Sequence, residues 1–562
     1  MSPTPTLDQF LGEIAAIVSR RDGAQLQDYL IIEPPYGALY NQMITELHQE
    51  YPLGKEAFLE DKCAFILAEA QEGADGATWT MFIKFMVQYL TFLRDVNVEN
   101  LLDTYNLLSE LVQKCISALA HPTLGIVVLP TVIAYSRVLA RLAIGLDRQP
   151  HLIAHLVQRS AGGEEGGAET LPERAANIVR TAFVTCLNDR TANPSGLRDG
   201  KPDGKKAGIY TLANLCLKIL FQCKKTRNVE QIFSNIYNQS PLLSAYPKPE
   251  QATYLYYLGR FMYQNNHFRR SAAALQHAFD LTPPRFVSQR HSMLVYLISA
   301  NLPLGRFPSE NLYNLPEAAG LRELFFPVTR AIVRGDLASF RKLLDLNLLA
   351  TPSSENTSNL QLVKENHERV QFLFRRRVLL QLRNRCEVLV LRSLARRTYV
   401  VAGQEGNVEK RKAATLDLQY YLQALRWLEM KALMPNWVPA GLIENGPSFA
   451  AENVQEESDY PLPDIFEAEA VISALIDQGL LNGFISRNLR RFAIVGSKRK
   501  GNPLAAGFPP PASILAPAGF DEREEVPGWR REGLLGSHVG FGAPTGSQGM
   551  GMGRGAGTNF FS

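Results

Sequence analysis

The sequence predicts a mainly α-helical fold: a superhelical array of tetratricopeptide-like helical hairpins capped by a C-terminal winged helix. Three observations predict it. Apolar residues recur at helical spacing through most of the chain up to about residue 400. One stretch, residues 254–284, carries the features of a helical repeat unit. Towards the end of the chain, two helical segments are followed directly by two short β-like runs, which is the order found in a winged helix.

Residues 1–204 form the first predicted region, which is helical. Its clearest helix lies in LLDTYNLLSELVQKCISALA, where the apolar residues fall on one stripe. The stripe consists of Leu101, Tyr105, Leu108, Val112, Cys115 and Leu119. Two loops rich in glycine and charge, near residues 160–170 and 188–206, are predicted to be flexible.

One segment of this region is uncharged over a length that could span a membrane. No formal charge occurs between Lys114 and Arg137. Pro122 and Pro130 interrupt the segment, however, and proline does not fit the interior of a continuous helix. We therefore expect two packed helices joined at a turn, and no membrane contact.

The stretch YLYYLGRFMYQNNHFRRSAAALQHAFDLTPP, residues 254–284, is predicted to form two helices joined by the polar turn QNNH. Tetratricopeptide repeats share a Leu-Gly pair, a bulky residue three positions later, a small residue where the helices cross and a closing proline. The matching residues are Leu258, Gly259, Met262, Ala278 and Pro283. Ser271 and Leu275 stand where Ala and Phe are usual, so this stretch alone is equally compatible with an ordinary helical hairpin.

Further helical segments lie on both sides of that stretch, which favours the repeat array. GIYTLANLCLKILFQC and NVEQIFSNIYNQ precede it, and SQRHSMLVYLISANLPLG follows it. Within LRELFFPVTRAIVRGDLASFRKLLDLN, the sequence RGDL predicts that one helix stops and another starts around Gly335. A long helical run is predicted from about Leu360 to Val401. Because one hairpin cannot bury its apolar face alone, we assign residues 205–410 to a stacked array.

Residues 411–500 are predicted to form the winged helix. TLDLQYYLQALRWLEMK is predicted as a helix with Thr415 at its N-cap, and DIFEAEAVISALIDQG as a second helix. In the second, Asp464 and Glu467 form a capping box and Gly479 occupies the C-cap position. The runs GFIS and RFAIV follow at once and predict a β-hairpin. The alternative for this segment is a set of helices with an unrelated hairpin.

Composition predicts the state of the tail and of the cysteines. Residues 501–562 are rich in Gly, Pro and Ser and poor in β-branched residues, so disorder is predicted there. The six cysteines are scattered along the chain, and no two form a C-x-x-C pair. Most lie inside apolar helical patterns, where a free cysteine behaves as a small core residue. This usage indicates a reducing compartment rather than a disulfide framework.

No motif in the sequence predicts an enzyme. His151 and His155 in HLIAH have the spacing of metal ligands, but the glutamate of a zinc-protease helix is absent, so structural or surface histidines are favoured. The glycine-rich sequence GMGMGRGAG follows no strand and opens no helix, so it does not predict a nucleotide loop. We therefore expect no catalytic residue, cofactor, metal or small-molecule substrate.

An array of helical hairpins capped by a winged helix resembles the PCI-domain family. The segments GIYTLANLCLKILFQC, YLYYLGRFMYQNNHFRRSAAALQHAF, VYLISANLPLGRFP, RGDLASFRKLL and VISALIDQGLLNGFISRNLRRFAIVGSKRKGNPLAAGFPP are similar to one branch of that family. The branch contains the signalosome-subunit-twelve-like proteins and the Thp-type subunit of the TREX-two complex. The similarity extends from about Lys205 to Pro510. Asn482 and Leu504 depart from the branch, which often has Lys and Phe at these positions.

The resemblance implies a non-enzymatic subunit of a nuclear mRNA export complex of the TREX-two type. Its winged helix would pair with a larger, Sac-type PCI protein, and a small acidic protein of the Sem/Dss type would bind the helical array. The implied location is the nucleus, at nuclear pores, and a cytoplasmic fraction is compatible with it. The alternative within the same branch is an assembly subunit of a COP-nine-signalosome-like particle without a nucleic-acid role.

The positive charges of the winged helix are the strongest indication of a binding site. The net charge of the whole chain is only +4, but no acidic residue occurs from Gln478 to Phe520. The same span contains Arg487, Arg490, Arg491, Lys498, Arg499 and Lys500. Clustered cations bind phosphates because counterions are released on contact, so we predict sequence-independent contact with RNA or DNA. A solvated turn is the alternative for the first three residues, and a nuclear localisation signal in GSKRKG for the last three.

A second basic run, FRRRVLLQLRNRCEVLVLRSLARRT, is predicted to place Arg376, Arg383 and Arg397 on one broad helix face. This face is compatible with an extended nucleic-acid path, with an acidic partner or with ordinary solvent exposure. The sequence does not choose between these three, so the run is not included among the predicted site residues.

Overall fold

The structure is a computed structural model and describes most of the chain. It describes residues 4–67, 79–97, 99–149, 170–190, 196–349, 360–406, 412–433 and 462–514. The fold is mainly helical, as the sequence predicts. The chain divides into two compact units, one ending at Phe261 and the other beginning at Met262. The region boundaries predicted from composition stay predictions.

The first unit consists of amphipathic helices that pack against their neighbours in the chain. Its elements are α1 (Pro5–Ser19), α2 (Gly23–Tyr29), α3 (Ala38–Glu50), α4 (Glu56–Ile66), α5 (Thr80–Asp95), α6 (Leu101–Leu119), α7 (Leu129–Asp147), α8 (Leu171–Leu187), β1 (Leu197–Arg198), β2 (Lys201–Pro202), α9 (Ile209–Gln222), α10 (Val229–Gln239) and α11 (Lys248–Gln264), the last of which contains the unit boundary. Helix α6 packs against both α5 and α7, and α9 packs against α8.

Buried aromatic side chains with a polar tip fix helix ends in the first unit. Tyr135 Oη donates to the carbonyl oxygen of Leu30 at 3.0 Å, and Trp79 Nε1 donates to that of Ala118 at 2.9 Å. A buried donor needs such a partner, and helix ends supply unpaired carbonyls. The predicted stripe of α6 is buried except for Leu101, which is partly exposed at the start of the helix.

The second loop predicted to be flexible contains regular structure. Strands β1 and β2 pair as an antiparallel hairpin, and the Lys205 side chain that follows them is buried. The Lys205 amide donates to Asp189 Oδ2 at 2.9 Å, and its Nζ donates to the His121 carbonyl at 2.8 Å. Composition does not reveal such long-range contacts, so the prediction of a flexible loop over residues 188–206 was incomplete.

One helix of the first unit is long and apolar enough to cross a membrane, by length and composition alone. It extends over Gly125–Asp147 and combines a 3-10 turn with α7. Of its apolar window, 56% is buried inside the protein, and a core helix passes the same test. The break predicted at Pro122 is confirmed, because α6 ends at Leu119 and packs against α7.

The second unit contains a run of helices followed by a three-stranded sheet and short terminal helices. Its elements are α12 (Phe268–Leu281), α13 (Val287–Asn301), α14 (Glu310–Tyr313), α15 (Leu321–Arg334), α16 (Leu337–Leu343), α17 (Leu360–Arg375), α18 (Leu379–Ala402), β3 (Thr415–Asp417), α19 (Leu418–Leu433), α20 (Ile465–Asp477), β4 (Gly483–Ser486), β5 (Arg491–Ile494), α21 (Ser497–Lys500), α22 (Pro503–Gly507) and α23 (Pro511–Ile514).

Two predicted helix boundaries of the array are confirmed. Helix α11 ends at Gln264 and α12 begins at Phe268, so the turn lies in QNNH. Helices α15 and α16 are separated by Gly335 and Asp336. Asp336 Oδ1 accepts from the Ser339 N–H at 3.0 Å and caps the restarted helix.

The long helical run predicted over residues 360–401 is two helices. Arg377 lies between α17 and α18 with a left-handed φ of 57°, which ends the first helix. Arg376 therefore precedes α18. The prediction that Arg376 and Arg383 share a helix face was wrong, because the periodicity of the run does not reveal a single left-handed residue.

The winged helix combines α19 and α20 with a three-stranded antiparallel sheet, and both helices and strand β3 pack against α18. The strand order is β3–β5–β4, and Phe492 of β5 lies opposite Leu416 on one side and Ile485 on the other. The predicted hairpin of GFIS and RFAIV is therefore confirmed. Of the predicted capping box, the N-cap bond is present, because Asp464 Oδ1 accepts from the Glu467 N–H at 2.8 Å.

The third strand of this sheet was not predicted. Thr415 was predicted as a helix N-cap, but Thr415–Asp417 pairs with β5, and α19 begins at Leu418. Three residues are too few to show a period of two, and the strand forms through a partner more than 70 positions away (Thr415 opposite Ala493). Gly479 has a φ of 73°, which fits its predicted C-cap role.

The segment directly after the wing is folded, contrary to the disorder predicted for residues 501–562. We call residues 503–514 the strap. Phe508 is only 4% exposed, and its ring lies 5.7 Å from the ring of Tyr399 on α18. Arg392 Nη2 donates to the carbonyls of Phe508 and of the proline after it, at 3.0 and 2.8 Å. The strap is thus held to α18 by hydrogen bonds and by packing of Phe508.

Several predictions concern residues outside those that the structure describes. These are the histidine pair His151 and His155, most of the loop near residues 160–170, and the tail after residue 514.

Candidate nucleic-acid interface

The turn between β4 and β5 forms the tip of the wing and carries two of the predicted cations. Arg490 has a left-handed φ of 48°, and its N–H donates to the Arg487 carbonyl at 3.2 Å. The Arg490 carbonyl accepts from the Leu418 N–H at 2.9 Å. Leu418 is the first residue of α19, and the first N–H groups of a helix have no partner within it. This bond therefore anchors the wing tip to the start of α19.

The first residue of the wing is a glycine because the two strands pair so closely there. A Cβ on Gly483 would lie 2.2 Å from the carbonyl oxygen of Ala493 and 2.6 Å from the Phe492 ring. Any larger residue would push the strands apart. The glycine of the GFIS strand is thus explained by strand pairing, without a ligand.

Two of the six predicted cations are held by carboxylates. Arg487 Nε lies 2.7 Å from Glu469 Oε1 of α20, and Arg491 Nε lies 3.7 Å from Asp417 Oδ2 of β3. Arg491 Nη1 also donates to Gln404 Oε1 at 3.1 Å. The Arg487 side chain is 85% exposed, so its ion pair contributes little and can exchange for a phosphate. Arg491 is less exposed and has two partners, Asp417 and Gln404, so its main role is to stabilise the sheet.

Three of the predicted cations are exposed and make no ion pair with any described residue. They are Arg490 at the wing tip and Arg499 and Lys500 in α21, the short helix that follows β5. Lys498 belongs to the same short helix, and only its backbone is described. The candidate site therefore consists of two separate groups, one at each end of β5.

The carboxylate partners were missed because they lie outside the acid-free window. That window began at Gln478, whereas Glu469 precedes it in α20 and Asp417 lies in the unpredicted strand β3. Strand register places Asp417 directly opposite Arg491. Without β3, the sequence carried no signal for this pair.

A second surface lies on the outer face of the same sheet. Side chains alternate along a strand, and Leu416 and Phe492 point to the core and are fully buried. On the opposite face, Phe484 is 55% exposed and Val495, just after β5, is 47% exposed. Large apolar side chains grouped on an open face are typical of protein contact surfaces. The winged helix therefore presents an apolar sheet face beside a basic turn.

Comparison with curated proteins identifies the family. A PCI domain-containing protein of Schizosaccharomyces pombe is 25% identical over 315 residues, covering 56% of this chain and 56% of that protein. The PCI domain-containing protein 2 homolog of Drosophila melanogaster is 25% identical over 301 residues, 52% of this chain and 65% of the relative. The CSN12 homolog of S. pombe is 23% identical over 295 residues, 52% of this chain and 61% of the relative. The chain is a PCI-domain protein.

The similarity covers only part of this PCI-domain protein and of its relatives. The chain spans between 56% and 65% of the length of these three curated relatives. No protein-family model matches the chain. The names PCI domain-containing protein 2 and CSN12 homolog correspond to the branch that the sequence resembles, which confirms that prediction. These relatives support a PCI scaffold subunit.

Metal binding and thiol chemistry each place requirements on the described residues. Within the described residues, no three His, Cys, Asp or Glu side chains are grouped so that they could hold a metal ion. Five of the six cysteines are buried. Burial raises the pKa of the Cys63 and Cys186 thiols to about 12, so these thiols stay protonated at neutral pH.

Proposed function

We propose that this PCI-domain protein is a non-catalytic scaffold subunit of a nuclear mRNA export complex of the TREX-two type. Its winged helix pairs with a larger Sac-type PCI protein, its helical array binds a small acidic Sem/Dss-type protein, and its basic wing contacts RNA or DNA. The observation that carries the proposal is the division of one winged helix into an exposed apolar sheet face and an exposed basic turn.

Contact with the phosphate backbone is supported by the unpaired cations. Arg490, Arg499 and Lys500 do not have to leave a carboxylate among the described residues in order to bind a phosphate. Arg487 adds a fourth contact when phosphate replaces Glu469, because that ion pair is open to solvent. Such contacts do not read bases, so binding is independent of sequence and weakens steeply with salt.

Pairing with a second PCI protein is supported by the outer sheet face. Phe484 and Val495 are apolar and exposed, and the centres of protein interfaces are apolar and rich in aromatic residues. The identity of the Sac-type and Sem/Dss-type partners, and the location at nuclear pores, rest on the resemblance to the TREX-two branch.

A second candidate is an assembly subunit of a signalosome-like particle without a nucleic-acid role. The specific observation in its favour is that several relatives, from three fungi, are named CSN12 homologs. In this candidate the basic wing turn is an ordinary solvated surface, and the apolar sheet face is the functional feature.

Charge reversal at the wing tests the nucleic-acid contact. The triple variant R490E/R499E/K500E and the native full chain are compared for binding to a fluorescein-labelled oligouridylate by anisotropy. We expect affinity to fall roughly tenfold or more, and the slope of log K against log salt to fall by about 2, at roughly 0.7 per lost phosphate contact on a single strand.

A control variant with the same change in net charge makes this test specific. In R20E/K84E/K114E, three exposed cations of the first unit are reversed. This control should bind like the native chain. Equal weakening by both variants, or by neither, would contradict a wing-specific contact.

Purification of the tagged protein from its source separates the two candidate functions. Co-elution of a Sac-type PCI protein with mRNA export factors supports the first candidate. Co-elution of signalosome subunits without export factors would overturn it in favour of the second.

A further inference from the structure

The C-terminal end of α18 carries two adjacent arginines that belong to neither predicted group. Arg396 and Arg397 are both exposed, and neither makes an ion pair with a described residue. They lie on the last two turns of the helix, before it ends at Ala402. Both guanidinium groups are therefore available to a ligand.

Arg396 lies on the face of α18 that holds the strap. It is one turn after Arg392, which donates to the Phe508 carbonyl at 3.0 Å, and Tyr399 on the same side contacts the Phe508 ring. Burial, and then the nearby charge of Arg396, lower the pKa of Arg392 to about 10. The strap in turn follows directly from α21. Arg396 therefore lies on the strap side of α18, and the strap connects along the chain to Arg499 and Lys500.

Arg397 lies close to the C-terminal end of α18, which leads to the other predicted group, at the wing. It precedes the end of α18 by five residues, about 8 Å along the helix axis. Just beyond that end, Gln404 pairs in antiparallel fashion with Thr415, and its side chain accepts from Arg491 Nη1 at 3.1 Å. In an antiparallel pair, the residues before Gln404 run alongside those after Thr415, towards Asp417 and the wing turn. The end of α18 thus leads to the wing.

Two of the three described acidic residues near this helix end are paired with arginines. Glu387, earlier on α18, is paired with Arg341 at 2.7 Å. Asp417 is paired with Arg491. Glu405 is exposed at the helix end and is one carboxylate beside the two arginines. Among the described residues at this helix end, Arg396 and Arg397 therefore outnumber the carboxylates that lack an arginine partner.

We propose that the backbone of single-stranded RNA or DNA runs from the wing turn across the end of α18 to α21, with Arg396 and Arg397 as its middle contacts. This inference rests on the nucleic-acid contact of the proposed function and names its path. A groove or stripe of cations that follows the backbone is the usual arrangement for single strands, because the phosphates are evenly spaced and need no base recognition. In this path, the two arginines at the end of α18 connect the cations of the wing turn with those of α21.

The test is the variant R396E/R397E in the full chain, measured with the same labelled oligouridylate at several salt concentrations. We expect weaker binding and a salt slope lower by about 1.4, at roughly 0.7 for each of two lost phosphate contacts. The neutral variant R396Q/R397Q should lose the same contacts with a smaller loss of affinity. Unchanged thermal unfolding in either variant shows that the fold is intact.

A matched control lies on the same unit. In R375E/R385E, an exposed arginine at the end of α17 and another within α18 are changed to glutamate. The change in net charge equals that of R396E/R397E, but both positions lie away from the C-terminal end of α18. This control should bind like the native chain. Equal weakening by R375E/R385E and R396E/R397E would overturn the path, because the effect would then come from overall charge alone.

Other outcomes distinguish failure of the path from failure of the proposed function. If the wing triple variant weakens binding and R396E/R397E does not, the path is wrong and the wing contact stands. If neither variant weakens binding, both are wrong. If polyglutamate binds in place of the oligouridylate and needs Arg396 and Arg397, the surface takes an acidic protein and the path is again overturned.

Discussion

Arginine side chains in the second unit differ in role because their surroundings differ. Arg392 is largely buried and holds the strap through two backbone carbonyls. Arg487 is exposed but paired with Glu469. Arg490 is exposed and has no carboxylate partner among the described residues. Arg490 is therefore accessible to an anionic ligand directly, Arg487 becomes accessible when its ion pair with Glu469 opens, and Arg392 is accessible only if the strap unfolds.

The cysteines give a prediction about reactivity. Burial raises the pKa of Cys63, Cys186 and Cys216 to about 12 and that of the half-buried Cys223 to about 11. The thiolate is the reactive form, so at pH 8 each native thiol reacts slowly with a disulfide reagent, and Cys223 reacts first because it is the most accessible. Stopped-flow thiol titration of the native chain measures this.

The variant Cys223→Ser should remove the first phase of that titration and leave the slower phases unchanged. All six thiols should react together once the chain is denatured. Fast reaction of several thiols in the native chain would show that the helices are packed less tightly than the structure has them.

The strap is an element that composition alone mispredicts. Residues 503–514 are rich in Pro, Ala and Gly, which is typical of disordered tails. It folds because Phe508 is buried against Tyr399 and Phe492, and because Asn482 Nδ2 donates to the Ala506 carbonyl at 3.2 Å. The strap therefore belongs to the winged helix by packing, although it follows the wing in sequence.

Replacing Phe508 with Ala should loosen the strap and the winged helix together. Loss of a buried phenyl ring costs about 3–5 kcal/mol, from lost burial and the cavity left behind. We expect a lower unfolding temperature and faster amide hydrogen exchange in residues 503–508. Thermal unfolding and hydrogen-exchange mass spectrometry measure both.

Phe466→Ala is the matched control for that variant. It removes the same ring from α20, where the side chain is 75% exposed, so the change in stability should stay within about 0.5 kcal/mol. If Phe508→Ala is as mild as Phe466→Ala, the strap does not contribute to the stability of the winged helix.

The short strand β3 shows where local sequence patterns stop being informative. Its three residues are followed without a break by α19, so TLDLQYYL reads as one helix with a polar start. The strand exists because Leu416 enters the core opposite Phe492, a contact that depends on the hairpin far along the chain. Its omission also hid Asp417, the carboxylate that restrains Arg491.

At the scale of the whole molecule, the repeated patterns were predictable and the long-range contacts were not. Helical periodicity, caps at Asp464 and the restart near Gly335 are local signals, and all three are confirmed. Ion pairs such as Arg487–Glu469, the packing of Lys205 and the folding of the strap depend on residues brought together by tertiary structure. The site was therefore predicted as a charged region, but its available cations could be chosen only in three dimensions.

The last prediction concerns the apolar sheet face and its role in binding a partner protein. Phe484 and Val495 are exposed among the described residues, and an aspartate at either position cannot be buried in an interface without losing its hydration. In F484D/V495D, we therefore expect co-purification of the partner PCI protein to be lost while the isolated chain becomes more soluble. L39D/L53D, which also places two aspartates at exposed apolar positions, here in the first unit, should leave the partner bound. Retention of the partner by F484D/V495D would mean that pairing uses another surface. The wing variant R490E/R499E/K500E separates partner binding from nucleic-acid binding, because it should keep the partner and lose the nucleic acid.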